Sequence, residues 1–298
     1  MRLTEQQLIE RQQGLGGSEA LAYCGKDPRC SPLQLYLRKI GEAGERPEED
    51  TRQHWGHRLE PVVRDWLAEE LGTEIHVPPR TLISALYPFM FANLDGLTDD
   101  AVVEIKTGDK FMAQEFGEVE TDQVPIRYVL QIMHYLVVTG LKRAHLGALI
   151  GGNDARHYVI DYDEELAQSL IVRAQVFWAH VLARDPPAVQ TLHDADKRWA
   201  KSSERAVIAS PEVVLAIEEI KHLRAAEKDA GSKADAAELT LKTYMGDADT
   251  LTDARGKALC SWRSQQREVF DVKAFAEAHP DLHAQFRKAS NFRVFRVK

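Results

Sequence analysis

The chain has 298 residues, 44% of them hydrophobic, which is enough for one large domain or a core with an appendage. Its formal net charge of −8 argues against nonspecific coating of nucleic acid, and no apolar run predicts a bilayer-spanning segment. Its three cysteines, Cys24, Cys30 and Cys260, fit neither a zinc site nor an iron–sulfur cluster. With a polar start that lacks the apolar stretch of a secretory signal, they predict a cytoplasmic protein without a membrane partner.

Two helices are predicted near the N-terminus. Ser18 precedes a short helix as its N-cap, beside Gly16-Gly17, which allow a ligand to approach the backbone. Arg11, seven residues earlier, would complete an anion site, although an ordinary capped helix with a surface arginine explains the same residues. Ser31-Pro32-Leu33-Gln34 predicts the start of the next helix, which ends near Gly41.

A longer amphipathic helix follows and ends at Gly72. Its apolar residues recur at three- and four-residue spacing: Leu59, Val62, Val63, Trp66, Leu67 and Leu71. Pro61 either starts this helix or bends one that begins near Thr51. Glu60, at that boundary, is either a surface carboxylate or a residue that reaches a metal site.

The segment from Asp95 to Lys106 carries the strongest functional signal. Val102-Val103-Glu104-Ile105-Lys106 predicts a strand in which Glu104 and Lys106 share one face while Val103 and Ile105 enter the core. A hairpin turn at Thr98-Asp99-Asp100 would bring Asp95 beside Glu104. Two carboxylates and an ammonium at one point suit a divalent cation that activates water against a phosphodiester. A cross-strand ion pair on an exposed sheet face is the alternative interpretation.

A second Glu-Ile-Lys tripeptide, Glu219-Ile220-Lys221, lies in a run of helical periodicity without an upstream Asp strand. It predicts a solvated helix face, so the tripeptide alone does not identify a site.

The remaining core elements alternate between strands and helices. Strand-like runs cover 89–94, 101–106, 146–150 and 157–160, with a hairpin turn at 151–154. A helix from Tyr128 to Thr139 places Gln131 and Tyr135, four residues apart, on one face. A long helix, 164–184, stops at Asp185-Pro186-Pro187, which predicts a core domain of residues 1–187.

Residues 188–298 are predicted to form a C-terminal extension. A helix starts at Ser210-Pro211-Glu212, is broken at Gly231 and resumes at Ala234, which predicts a helical hairpin. A β-hairpin over 250–264, short helices after Asp271 and an extended end at 292–298 follow. The last 48 residues carry a net +5 and the first 250 a net −13, so basic groups are concentrated at this end.

In combination these pieces resemble the YqaJ-type viral recombinases, the lambda-exonuclease-like family of the PD-(D/E)XK nuclease superfamily. The resemblance spans roughly residues 11–183 and rests on the order and spacing of weak motifs. In chain order they are Arg11 with Gly16-Gly17-Ser18-Glu19, Ser31 to Gly41, Gly56 to Pro61, Asp95-Gly96, Glu104-Ile105-Lys106, and Gln131 to Gly140.

The resemblance implies an α/β, restriction-endonuclease-like core with a central mixed β-sheet flanked by helices. It implies a Mg²⁺-dependent 5′-to-3′ exonuclease on double-stranded DNA ends, with Mn²⁺ as a substitute, that supplies a single-strand-annealing protein and forms homo-oligomers, with a trimer expected. Asp95, Glu104 and the backbone carbonyl of Ile105 would ligate the metal, and Glu60 would assist a second ion. By the same resemblance, Lys106 would orient or activate the attacking water. Gln131, with Tyr135 beside it, would hold the site or the strand near the scissile phosphate, and Arg11 and Ser18 would bind a phosphate such as the terminal 5′ one.

One residue departs from the family pattern. Met133 stands where many relatives carry a second glutamine, so no role of that glutamine transfers to this chain. An endonuclease or nickase on the same fold and a non-catalytic adaptor that binds DNA ends remain open as alternatives. The basic and aromatic end, 291–298, is a closing edge strand or an arm that contacts DNA or a partner protein.

Overall fold

The computed structural model describes residues 12–42, 51–288 and 292–298. Arg11 and Asn291 lie outside the described residues. Internal contacts divide the chain into two units, Met1–Arg198 and Trp199–Lys298. The two units are described separately below.

The first unit contains six α-helices and seven strands among its described residues. Its helices are α1 (Ala20–Tyr23), α2 (Pro32–Lys39), α3 (Thr51–Leu71), α4 (Ile126–Thr139), α5 (Glu164–Ala183) and α6 (Leu192–Arg198). Its strands are β1 (Leu15–Gly16), β2 (Leu82–Ile83), β3 (Met90–Ala92), β4 (Gly96–Leu97), β5 (Ala101–Gly108), β6 (Arg143–Ile150) and β7 (Asp154–Asp161).

The strands form two mixed sheets. The three-stranded sheet has the order β1-β3-β2, and the four-stranded sheet has the order β4-β5-β6-β7. Strands β5 and β6 are parallel, with Glu104 opposite Leu146, and α4 lies in the connection between them. The helices contact these sheets, and the predicted α/β core with mixed sheets and flanking helices is confirmed.

The alternation predicted for β5 is confirmed. Val103 and Ile105 pack with Val63 and Leu67 of α3 in a small apolar cluster. Val102, on the opposite face, belongs to the main core, which is built around α4. The face that carries Glu104 and Lys106 is therefore turned toward the main core, and Glu104 is only 1% exposed. An ion pair on an exposed sheet face, the alternative interpretation, is wrong.

The sequence predicted the start of α2 correctly but not the start of α1. Ser31 Oγ accepts a hydrogen bond from the Gln34 N–H at 3.1 Å and Pro32 opens α2, as predicted. Ser18, however, is not an N-cap: it lies inside a 3₁₀ turn, Gly17–Glu19, that precedes α1. The carboxylate of Glu19 accepts from the Gly16 N–H at 3.0 Å, a hydrogen bond that belongs to the 3₁₀ turn. Glu19, not Ser18, is the N-cap residue of α1.

Helix α5 corrects one composition-based expectation. It is long and apolar enough, by those two criteria, to cross a membrane, although no such run was predicted. Ala167, Leu170 and Phe177 on this helix are buried in the main core, and α5 contacts α1, α2 and α4. We therefore interpret α5 as a core helix.

The division of contacts falls eleven residues after the boundary predicted at residue 187. Helix α6 belongs to the first unit because Asp194, which is completely buried, accepts a hydrogen bond from Ser31 Oγ at 2.6 Å. Its second carboxylate oxygen accepts from the N–H groups of Gln190 and Thr191. The two-domain assignment itself stays a prediction.

The second unit contains α7 (Pro211–Met245), β8 (Thr250–Thr252), β9 (Ala258–Ser261), α8 (Val272–Ala278) and α9 (Pro280–Phe286). The predicted β-hairpin and short helices are present. The predicted helical hairpin is wrong, since α7 runs without a break through Gly231. A single glycine costs a helix only about 1 kcal/mol relative to alanine, and the alanine-rich flanks of Gly231 continue the helix.

Candidate active site

A tight hairpin holds the first carboxylate. Asp95 lies between β3 and β4, and Gly96 pairs with Val103 across the hairpin formed by β4 and β5. The Asp95 Oδ2 atom accepts a hydrogen bond from the Ile105 N–H at 2.8 Å. The turn predicted at residues 98–100 therefore brings Asp95 against the strand segment that carries Glu104, as expected.

Glu104 is the most enclosed polar group of this site. Its Oε1 atom accepts hydrogen bonds from Lys106 Nζ and from the Gln131 amide, the latter at 2.6 Å. Its Oε2 atom is buried and has no hydrogen-bond partner. A buried acceptor without a partner carries a desolvation penalty of about 1–3 kcal/mol, which a ligand at this oxygen would relieve.

The pKa of each of the three charged side chains is set by opposing effects of burial and neighbouring charges. Burial, reinforced by the charge of Asp95, raises the pKa of Glu104 to about 8 even though Lys106 acts in the other direction. Burial and the charge of Glu60 raise the pKa of Asp95, against the opposing effects of Lys106 and the Ile105 N–H. Burial alone would lower the pKa of Lys106, but Glu104 and Asp95 outweigh it and the net shift is upward. The site thus concentrates more negative charge than one ammonium can stabilise.

Glu60 reaches this charge cluster from α3. It is 8% exposed, and its carboxylate lies 3.4 Å from Arg64 Nη1 one helical turn later. The same Arg64 nitrogen donates to the backbone carbonyl of Asp95 at 3.0 Å. Arg64 therefore ties α3 to the hairpin and holds Glu60 close to the other two carboxylates. The alternative interpretation of Glu60 as a surface carboxylate is wrong.

Gln131 and Tyr135, both on α4, form one wall of the site. The Gln131 amide, which binds Glu104, also donates to the Tyr135 hydroxyl at 3.0 Å. The Tyr135 ring lies directly against Gly17, where even a Cβ atom would collide with it. Ser18 follows in the same 3₁₀ turn and is exposed, so the structure brings this turn to the wall of the site.

A separate cleft of about 930 Å³ lies along the N-terminal turn of α4. Tyr128 connects the two regions, since it lines the cleft and its ring centroid lies 5.4 Å from Lys106 Nζ. Five cationic side chains line the cleft against two acidic ones: Lys26, Arg29, Arg52, Arg127 and Arg173 against Asp109 and Glu115. This local excess of positive charge contrasts with the chain's net charge of −8. Phe111, 69% exposed, adds an aromatic face.

The donor set fits a hard divalent cation. Carboxylate oxygens are the ligands that Mg²⁺ prefers, and the buried Glu104 Oε2 has no other partner. Within the described residues, no three His, Cys, Asp or Glu side chains are arranged as a complete metal site. At Glu104, Lys106 and Gln131 already occupy Oε1, which leaves Oε2 as the available atom.

Sequence reasoning missed two residues of this site. Arg64 follows Glu60 by four positions on a helix, and Tyr128 precedes Gln131 by three, so helical spacing was the signal for both. A third omission is the buried ion pair in which Lys39 Nζ lies 2.7 Å from Glu19, beside the Gly17 turn. Its two members lie on different elements, and spacing alone does not connect them.

Comparison with known proteins agrees with this architecture. Residues 8–142 match the YqaJ-like viral recombinase domain. This part of the chain is therefore similar to that family. The protein YqaJ of Bacillus subtilis (strain 168) is 28% identical over 309 aligned positions, which cover 98% of this chain and 93% of that relative.

Two solved structures share the fold of this chain. The alkaline exonuclease LHK-Exo from Laribacter hongkongensis is 17% identical, with a TM-score of 0.51, and the alignment covers 66% of this chain and 98% of LHK-Exo. The LHK-Exo complex with dAMP gives 16% identity, a TM-score of 0.50 and the same coverage. At these identities the similarity establishes the fold, and the predicted restriction-endonuclease-like core is confirmed.

Proposed function

We propose that this protein is a member of the YqaJ-like recombinase family and a Mg²⁺-dependent exonuclease that degrades one strand of double-stranded DNA from its 5′ end. The product strands would serve phage-type recombination by annealing. The family and the fold shared with an alkaline exonuclease support a recombination nuclease. The observation that carries the proposal is the buried Glu104, held by Lys106 and Gln131 beside Asp95, with one carboxylate oxygen left without a partner.

Asp95, Glu104 and the backbone carbonyl of Ile105 would hold Mg²⁺, for which Mn²⁺ substitutes, and Glu60 would assist a second ion. Such cations, when bound, polarise the phosphoryl group and lower the pKa of bound water. Lys106 keeps a positive charge next to Glu104, where it offsets charge that develops on the phosphate oxygens. Gln131 orients the Glu104 carboxylate, and Tyr135 in turn orients Gln131.

The excess of cationic side chains in the cleft indicates where the DNA would bind. The basic cleft at Tyr128 would bind the strand next to the scissile phosphate, since arginines and an exposed aromatic ring suit a polynucleotide. Ser18, with Arg11 from outside the described residues, would bind a terminal 5′ phosphate. A homotrimer that encloses DNA and a single-strand-annealing partner belong to this proposal through the family resemblance.

The decisive assay compares linear duplex, labelled at either the 5′ or the 3′ end, with covalently closed plasmid, in Mg²⁺ and in EDTA. We expect Mg²⁺-dependent loss of the 5′ label from the linear DNA and no change in the plasmid. Nicking or linearisation of the plasmid would favour the endonuclease alternative. Binding of DNA ends without any cleavage in Mg²⁺ would favour the adaptor.

A matched pair of variants tests the assignment of the site. Lys106→Ala should abolish cleavage while DNA-end binding persists. Lys221→Ala removes the equivalent lysine of the second Glu-Ile-Lys tripeptide, which lies on the exposed helix α7, and should retain full activity. Equal activity of the two variants would contradict the proposed site.

A further inference from the structure

Helix α7 leaves several large apolar side chains exposed. It has 35 residues, which corresponds to a length of about 52 Å. Leu223, Leu241 and Tyr244 are 57%, 45% and 80% exposed, and Met245 at its end is its only buried residue among those described. A helix of this kind is normally stabilised by packing of an apolar face rather than by its propensity.

The apolar residues follow a heptad repeat. One stripe, at the a positions, consists of Val213, Ile220, Glu227, Ala234 and Leu241. The second stripe, at the d positions, consists of Ala216, Leu223, Ala230, Ala237 and Tyr244. Nine of these ten residues are hydrophobic, against eight of the other 25 in the helix, so the seam is the apolar side of α7. Five heptads of this pattern are typical of a coiled coil.

We propose that α7 pairs with α7 of a second copy of this chain in an antiparallel coiled coil, a two-fold contact separate from the homotrimer of the proposed function. In the register centred between Lys228 and Asp229, three large seam residues each face an alanine of the other copy. The fourth pair, Val213 with Tyr244, lies at the ends of the helices. Ile220 faces Ala237, Leu223 faces Ala234, Leu241 faces Ala216, and Val213 faces Tyr244. Alternation of large and small residues across facing positions is how helices interdigitate at close distance.

The charges beside the seam complement one another in the same register. Glu219 of one copy lies opposite Lys233 of the other, and Arg224 lies opposite Glu238. By symmetry each pair forms twice, which gives four ion pairs of opposite sign. The positions between them are Ala226 and Gly231, which allow the two backbones to approach. Opposite charges at these flanking positions set partner choice and orientation in coiled coils.

Glu227 decides between the two orientations. In a parallel, in-register pair its carboxylate would face the identical carboxylate of the second copy. In the antiparallel pair it faces Ala230, so the two negative charges are separated. A charged residue in the seam still weakens the association, and its removal should therefore strengthen it.

Analytical ultracentrifugation of the full-length chain tests the pairing. Leu223→Asp should raise the dissociation constant at least tenfold. Leu215→Asp changes a more exposed leucine outside the seam (71% exposed) and should leave the dissociation constant unchanged. Glu227→Leu should lower the dissociation constant at least tenfold. Circular dichroism at 222 nm confirms that each variant remains folded.

Charge exchange tests the orientation. Glu219→Lys alone should weaken the association, and Glu219→Lys combined with Lys233→Glu should restore it. Restoration by Glu219→Arg with Arg224→Glu instead would establish a parallel pair and overturn the proposal. A monomeric wild-type chain, or an association that none of these substitutions alters, would also overturn it, because contacts elsewhere would then account for any oligomer.

Discussion

The side-chain amide of Gln131 lies 2.6 Å from Oε1 of Glu104, across the boundary between a helix and a strand that are 27 residues apart in sequence. This contact fixes the carboxylate that we assign to metal binding. Residues that orient a ligand in this way typically contribute 10- to 100-fold to affinity or activity.

We expect Gln131→Ala to lower kcat by about 10- to 100-fold with little change in KM for DNA. The reason is that Glu104 loses its orienting donor while the DNA-binding cleft is unchanged. Gln168→Ala, at an exposed position of α5, is the control and should be fully active. A change confined to KM would show that Gln131 binds the strand rather than positions the carboxylate.

Asp95→Asn should stabilise the protein by about 1 kcal/mol while it abolishes Mg²⁺-dependent cleavage. The substitution removes a buried charge that repels Glu104, and the amide oxygen can still accept from the Ile105 N–H. Urea unfolding in EDTA measures the first effect. A destabilised Asp95→Asn variant would show that the negative charge is needed to balance Lys106.

Much of this site was predictable because its key residues lie close together in sequence or repeat at helical spacing. The turn at 98–100 and the alternation in β5 place Asp95, Glu104 and Lys106, and a four-residue interval pairs Gln131 with Tyr135. Contacts between elements distant in sequence, such as Lys39 with Glu19 and Arg64 with the Asp95 carbonyl, carry no local signal.

The errors also have physical causes. Ser18 was expected to cap a helix, but a 3₁₀ turn over Gly17–Glu19 precedes that helix, so the N-cap position falls on Glu19. Gly231 was expected to end a helix, yet one glycine among good helix formers costs too little to do so. The sequence could not predict that the face of β5 that carries Glu104 is buried. The helix that covers this face, α4, is positioned by contacts throughout the core rather than by local sequence.

His134 contributes stability that is lost as the pH drops below about 6.5. Burial lowers the pKa of this histidine to about 4, against opposing effects of the Phe91 carbonyl and Glu19, whereas an unfolded histidine titrates near 6.5. At this residue the unfolded state therefore binds more protons between pH 4 and 6.5, so its contribution to stability rises with pH across this window, whereas the raised pKa of Glu104 acts in the opposite direction.

His134→Gln tests this contribution. The Nε2 atom of His134 donates to the Phe91 carbonyl at 3.1 Å, and Nδ1 accepts from the Tyr23 hydroxyl at 2.9 Å. Glutamine can donate and accept at the same two partners without a titration in this range. Urea unfolding between pH 4 and 7 should show a flatter profile for His134→Gln than for the control His222→Gln. Identical profiles would exclude His134 as a source of the pH dependence.

Lys39→Met should destabilise the chain by about 3–5 kcal/mol, because it leaves the Glu19 carboxylate largely buried without its ammonium partner. The double variant Glu19→Gln, Lys39→Met should recover most of this loss. Denaturant unfolding of the two single variants and the double variant forms the required cycle. Additive effects would show that the two side chains do not interact.

Arg173→Ala should weaken DNA binding and reduce the slope of log K against log[salt] by about one unit, if this side chain neutralises one phosphate in the cleft. Binding of labelled DNA at several NaCl concentrations in Ca²⁺ or EDTA measures the slope without cleavage. Lys142→Ala, on the connection before β6, is a control cation outside the cleft. An equal reduction for both variants would indicate a general charge effect.

The crossover from β5 through α4 to β6 has a consequence for synthesis of the protein. The hairpin with Asp95 and Glu104 leaves the ribosome before Gln131 and Tyr135, and the parallel pairing of β5 needs β6, which ends at Ile150. A nascent chain therefore carries its acidic residues without the groups that order them until about half of it has emerged. The geometry of the site is therefore completed only after Ile150 has been synthesised, and an N-terminal fragment that ends before β6 should lack it.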